Sequence, residues 1–182
     1  MWVCSSERPL HVDELCHALA VEIGSQEFDP DNVPLIATLL SCCQGLITVD
    51  QNASTVRLIH YTLREYLSTH SDLFPMAHST IAETCLTYLN SQQAGKLASH
   101  PLPGDRSIAF LKYSSRHWGT RAKREFSDRT MSLALKILSR YEDHISATSL
   151  LRQSRDGYDF VGSSLFSGLH CASFFGIVEL AT

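Results

Sequence analysis

The chain has 182 residues, 44% hydrophobic and 19% charged, with a net charge of −4. That is enough for one domain or two small ones packed together, with a soluble composition and no global charge to draw nucleic acid or anionic lipid. The opening "MWVCSSERPL" lacks a signal-peptide pattern. The longest apolar runs, such as "VPLIATLL", fall far short of the roughly 20 residues of a membrane span. The expected setting is cytoplasmic, with no membrane partner.

In chain order, "RPLHVDELCHALAV" places Val12, Leu15, Cys16 and Leu19 on one helical face. Pro9 and the acids Asp13 and Glu14 suit its start. "GSQEFDPDN" reads as a loop. "DNVPLIATLLSCCQG" reads as a second helix capped by Asp31 or Asn32, with Pro34 in its first turn. Its stripe is Val33, Ile36, Leu39, Leu40 and Cys43, and Gly45 is its stop. Two β-rich runs near 46–50 and 55–60 flank the polar turn "QNAS", which predicts an antiparallel hairpin. A helix follows from Thr62, where Thr62-x-x-Glu65 fits a capping box, with Leu63, Tyr66 and Leu67 inward. The expected core includes Leu15, Leu19, Ile36, Leu40, Val56, Leu58, Tyr66 and Leu67.

Helix, helix, hairpin and helix predict a winged-helix unit over residues 1–70. The next segment, 71–158, reads as helical. "MAHSTIAETCLTYLN" carries Ile81, Cys85, Tyr88 and Leu89 on one side. "NSQQAGKLASHPLPG" is a loop. "RSIAFLKYSSRHWG" and "SDRTMSLALKILSRY" are further amphipathic helices, and "ISATSLLRQ" a short one. Both halves are small for a self-sufficient core, which predicts a shared one. From residue 159 the chain changes character: Leu169-His170-x-Ala172 and Gly176 match an ankyrin-repeat turn, with Ser167 and Gly168 where Thr and Pro belong. A lone half-repeat leaves an apolar face without a neighbour, so the residues after about 160 are expected to be poorly ordered without further repeats.

The chemistry-bearing motifs are sparse. The six cysteines show no C-x-x-C spacing, which speaks against zinc or a disulfide framework. "AGKL" has a Walker-like ending, but Asn90 occupies the first glycine position and Leu97 the Ser/Thr position, so it lacks the parts that wrap phosphate and hold magnesium. No serine elbow or zinc-protease motif is present. A winged helix raises DNA binding, yet no Lys or Arg lies between Arg8 and Arg57, a span holding seven acids. That face would repel phosphate. The basic run from Arg106 to Arg124 carries six Lys or Arg and no acid. It reads as a solvated helix face with Phe110 and Trp118 turned inward. From these residues no metal, cofactor, catalytic residue or DNA partner is expected. His60, at the end of the second β run in "RLIHYTLREYL", has two open roles: a hydrogen-bonded core histidine, or a contact to a ligand.

"RPLHVDELCHALAV", "GLITVD", "RLIHYTLREYL", "CLTYL", "FLKYSSRHWG" and "GLHCASFFG", in that order, resemble the region after the NACHT module in fungal NACHT-ankyrin proteins of the NOD-like receptor (STAND) type. A similar winged-helix segment carries the name of a GPI inositol-deacylase; the missing serine elbow removes any implied hydrolase activity. The resemblance implies a mainly α fold: a winged helix, a helical region and the start of an ankyrin repeat. It implies a non-catalytic connector between a nucleotide-binding module in cis and ankyrin repeats that bind a protein. ADP or ATP would then enter only through that NACHT module, which lies outside this chain. In the family, the histidine matching His60 reaches a phosphate of the bound ADP; Tyr61 stands where an Asp is common in plant relatives. His170 is implied to make a structural hydrogen bond. The alternative is a free-standing protein-interaction module.

Overall fold

The computed structural model describes residues 1–92, 94, 109–144, 146–147, 150 and 167–180. The chain is mainly helical, with one two-stranded antiparallel hairpin. The described α-helices are α1 (Trp2–Ser5), α2 (Val12–Ala20), α3 (Ile36–Cys42), α4 (Tyr61–Thr69), α5 (Ala77–Asn90), α6 (Leu111–Arg124), α7 (Asp128–Leu138) and α8 (Gly168–Phe175). The strands are β1 (Ile47–Asp50) and β2 (Thr55–Leu58).

The hairpin lies where the alternating β-rich runs placed it, with Val49 opposite Val56 and Asp50 opposite Thr55. Asp50 closes the turn: its Oδ1 accepts from the amides of Asn52 and Ala53 at 3.0 and 3.1 Å, and its carboxylate pairs with Arg57 at 2.7 Å. A third short segment joins the sheet. Val56 donates to the Leu10 carbonyl, and His11 bridges Thr55. This ties the chain entering α2 to the wing and buries Leu10 and Val56.

Several local expectations are corrected. Helix α2 is capped by His11, whose partner is Glu14 in a reciprocal capping box. It buries a broad arc that includes Glu14 and His17, while Leu19 in its last turn is 45% exposed. Helix α3 starts at Ile36, not in the first turn after Asp31. Pro34 holds Val33 extended, so Pro30–Asn32 forms a separate 3₁₀ turn capped by Asp29. The α3 stripe, including Ile36 and Leu40, is only half-buried. Helix α4 starts one residue earlier than expected, with His60 as its cap in place of a Thr62–Glu65 box. Leu58, Leu63 and Leu67 are half-buried, and Tyr66 is exposed, stacked on His70 at 4.1 Å.

Helix α5 is the centre of the molecule. Ile81, Ala82, Cys85, Leu86, Tyr88 and Leu89 are all buried, because α6, α7 and the N-terminal unit all pack on it. A file of ring contacts runs through this junction: Trp2 on Phe110 (5.7 Å), Phe110 on Tyr88 (5.3 Å), Tyr88 on Phe28 (5.3 Å) and Phe28 on His17 (5.2 Å). The two halves therefore share one apolar cluster. Phe110 and Trp118 are fully buried, as the pattern of α6 required.

The tail has a neighbour, which corrects the expectation of an uncovered face. Cys171, Ala172, Phe175 and Ile177 are buried, and the Phe175 ring lies 5.1 Å from Trp118 against Gly119 of α6. Its other side shows Leu169, Phe174 and Val178 to solvent. Most of the loop around "AGKL" and part of the short helix expected at "ISATSLLRQ" lie outside the described residues. Asn90 itself ends α5, and its side chain donates to the carbonyls of Leu86 and Leu133. All six cysteines are free thiols.

Candidate functional site

His60 stands where β2 gives way to α4. Its backbone is extended (φ −133°, ψ 140°), which suits an N-cap, and its Nδ1 faces the helix start. Thr62 offers two donors to that nitrogen, the hydroxyl at 2.8 Å and the amide at 3.4 Å. Nδ1 thus acts as an acceptor, so the neutral ring carries its proton on Nε2 and holds a donor there. The ring is exposed, which sets aside the core-filling role; the backbone hydrogen bond of that reading is present, as a cap.

Capping by imidazole recurs in this chain. His11 caps α2, and the Nδ1 of His144 accepts from the amide of Ser146 at 3.1 Å. His170 accepts from the Ser167 amide at 3.3 Å and bonds its hydroxyl at 2.7 Å, the structural hydrogen bond expected of it. What sets His60 apart is its surroundings. Ile59 is 61% exposed, Tyr61 73%, and Leu46, whose carbonyl accepts from the Ile59 amide, 54%. An exposed histidine and three large exposed apolar residues thus mark one end of the wing.

A second charged region lies between the two halves. A cleft of about 650 Å³ opens between α1 and α4 on one side and the start of α5 and end of α6 on the other. Arg121 is buried and pairs with Glu7 at 2.9 Å, while Arg124 approaches the same carboxylate at 3.5 Å. Arg121 also lies 2.9 Å from the Nδ1 of His78. A guanidinium has only protons to give, so that nitrogen accepts and His78 stays neutral. Burial first, then Arg121 and Arg124, hold its pKa below the ordinary histidine value. Glu125 accepts from the amides of His78 and Ser79 at 3.1 and 3.0 Å, closing the positive end of α5.

Sequence reasoning took Arg121 for a solvated charge. The signal that pointed otherwise was its spacing, three residues after Trp118 and next to Ala122 on the buried stripe of α6. Its partner Glu7 is distant in sequence and was not readable. No group of three or more His, Cys, Asp or Glu among the described residues is arranged to hold a metal. No described helix is long and apolar enough to cross a membrane.

Residues 1–79 match the family model of the GPI inositol-deacylase winged helix domain. The match ends in the first turn of α5 and covers α1 to α4 and the hairpin. This part of the chain is a winged-helix unit. No curated protein and no solved structure gives a match.

Proposed function

We propose that the chain is a non-catalytic regulatory connector, in which the winged-helix unit docks on a nucleotide-binding module of the NACHT type and the helical half passes its position on to ankyrin repeats. The observation that carries this reading is the exposed His60, with Nδ1 taken by the helix cap, beside the exposed Leu46, Ile59 and Tyr61. That surface combines what an interface needs at a bound phosphate: apolar area to exclude water and a hydrogen-bond donor of fixed tautomer. ADP would be held jointly, by the partner module and by His60, and its loss would free the wing end. A charge-assisted hydrogen bond of this type is worth about 1.5–3 kcal/mol. That corresponds to roughly a 10- to 100-fold shift between closed and open states.

The exposed face of Leu169, Phe174 and Val178 on the tail supports the second link, since a following repeat would cover it. The same face also suits the alternative, a free-standing protein-interaction module. The two are separated by testing whether His60→Asn alters ADP retention in the polypeptide that carries the nucleotide-binding module. Asn caps a helix at least as well as His, so the fold is preserved while the Nε2 donor is removed. Faster ADP release supports the connector; unchanged release supports the interaction module.

A further inference from the structure

We propose that the cleft between the winged-helix unit and the helical half binds an acidic segment of a partner polypeptide, through a carboxylate or phosphate on one side chain with an apolar residue beside it. The proposal rests on the geometry of this cleft and is independent of the role given to His60.

The cleft is built by four separate helices, so its shape follows from the fold. Its charges do not balance. Glu7 serves both Arg121 and Arg124, and Glu125 is engaged with the α5 amides. Arg64, on α4, lines the same cleft and forms no ion pair among the described residues. Arg124, half-exposed on α6, holds Glu7 only at 3.5 Å. Two guanidinium groups from different helices thus line the cleft with donor capacity to spare. His78 adds a neutral ring: with Nδ1 accepting from Arg121, its Nε2 carries the proton and is a further donor.

The cleft already shows which chemistry it accepts. Both acids within it bind as carboxylates, one on guanidinium groups and one on backbone amides. Leu67, Phe74 and Met76 line the same cleft. Met76 is 58% exposed and sits in left-handed backbone (φ 60°), a conformation rarely taken by a side chain of this kind. Its thioether is flexible, and methionine adapts its shape to varied apolar partners.

A free nucleotide fits less well. Nucleotide phosphates are typically received by helix N-terminal amides behind a glycine-rich loop. Here Glu125 occupies the α5 amides. Guanidinium groups and apolar side chains lining one cleft match the way acidic and phosphorylated linear segments are captured.

The test uses the intact chain and pooled octapeptides with a fixed central Glu-Glu or phosphoserine, against the same pool with central Gln-Gln. The acidic pools should bind about 5- to 10-fold more tightly. The preference should vanish in the Arg64→Gln/Arg124→Gln variant and persist in Lys112→Gln/Lys136→Gln, which loses the same charge elsewhere. Circular dichroism establishes that both variants fold. Equal binding of the pools, or a preference that survives loss of both arginines, overturns the proposal. Displacement of the acidic peptides by inorganic phosphate at equal concentration would make this a small-anion site and overturn it as well.

Discussion

Replacing Glu7 by Gln should destabilise the chain far more than its place in an N-terminal loop suggests. Glu7 provides the negative charge for Arg121, whose side chain is only 3% exposed. Removing one partner of a buried pair leaves the other charge uncompensated, which typically costs about 3–5 kcal/mol. Glu7 itself is 23% exposed, and glutamine keeps one hydrogen-bond acceptor, so the cost falls at or just below that range, about 2–3 kcal/mol. For a chain of this size that corresponds to a Tm drop of roughly 5–10 °C. The reverse change, Arg121→Met, should cost less, since Glu7 still faces Arg124 and solvent. The double variant should recover much of the loss. Urea and thermal unfolding of the four proteins form a double-mutant cycle. A Glu7→Gln cost below about 0.5 kcal/mol, or simple additivity, would refute the reasoning.

Acid should unfold the protein earlier than its carboxylates alone would require. His117 is pushed down to about 4 by burial and then by Arg8, and His17, His78 and His144 are also lowered. The unfolded chain takes up these protons near pH 6.5, so stability is complete above that value and falls as pH drops toward 4. For His117 the full linkage is about 3 kcal/mol, reduced by solvent screening to about 1–2; a His117→Gln variant should show a flatter stability profile between pH 6.5 and 4. Gly119→Ala would place a methyl group within the Phe175 ring. It should raise hydrogen exchange from Leu169 to Gly176 while α5 stays protected, at a cost of about 1–3 kcal/mol. Unchanged exchange there would mean that the tail is not held by this contact.

Where local rules and burial agree, the sequence was a good guide. The hairpin follows from two β-rich runs around a short polar turn, and α5 from its apolar positions; the His170 hydrogen bond was implied by the ankyrin resemblance. It misled where tertiary neighbours decide. Tyr66 had helical spacing for the core but finds its cover in His70 on the surface. Leu19 matched the stripe of α2, yet that helix buries an arc instead. The Thr62–Glu65 pattern was sound in isolation; the His60 imidazole, one residue before the helix, caps it instead through the Thr62 amide. The Glu7–Arg121 pair joins the start of the chain to α6, and no local pattern encodes a contact of that range.

The central claim is that His60 holds a nucleotide phosphate of a partner module, beyond its work as a helix cap. ADP release from the polypeptide that includes that module, compared between wild type and His60→Asn, tests it most directly. The account predicts release faster by about 10- to 100-fold, with the unfolding of the isolated chain shifted by less than about 0.5 kcal/mol because Asn preserves the cap. Equal release rates with intact stability would contradict it and leave His60 a cap alone.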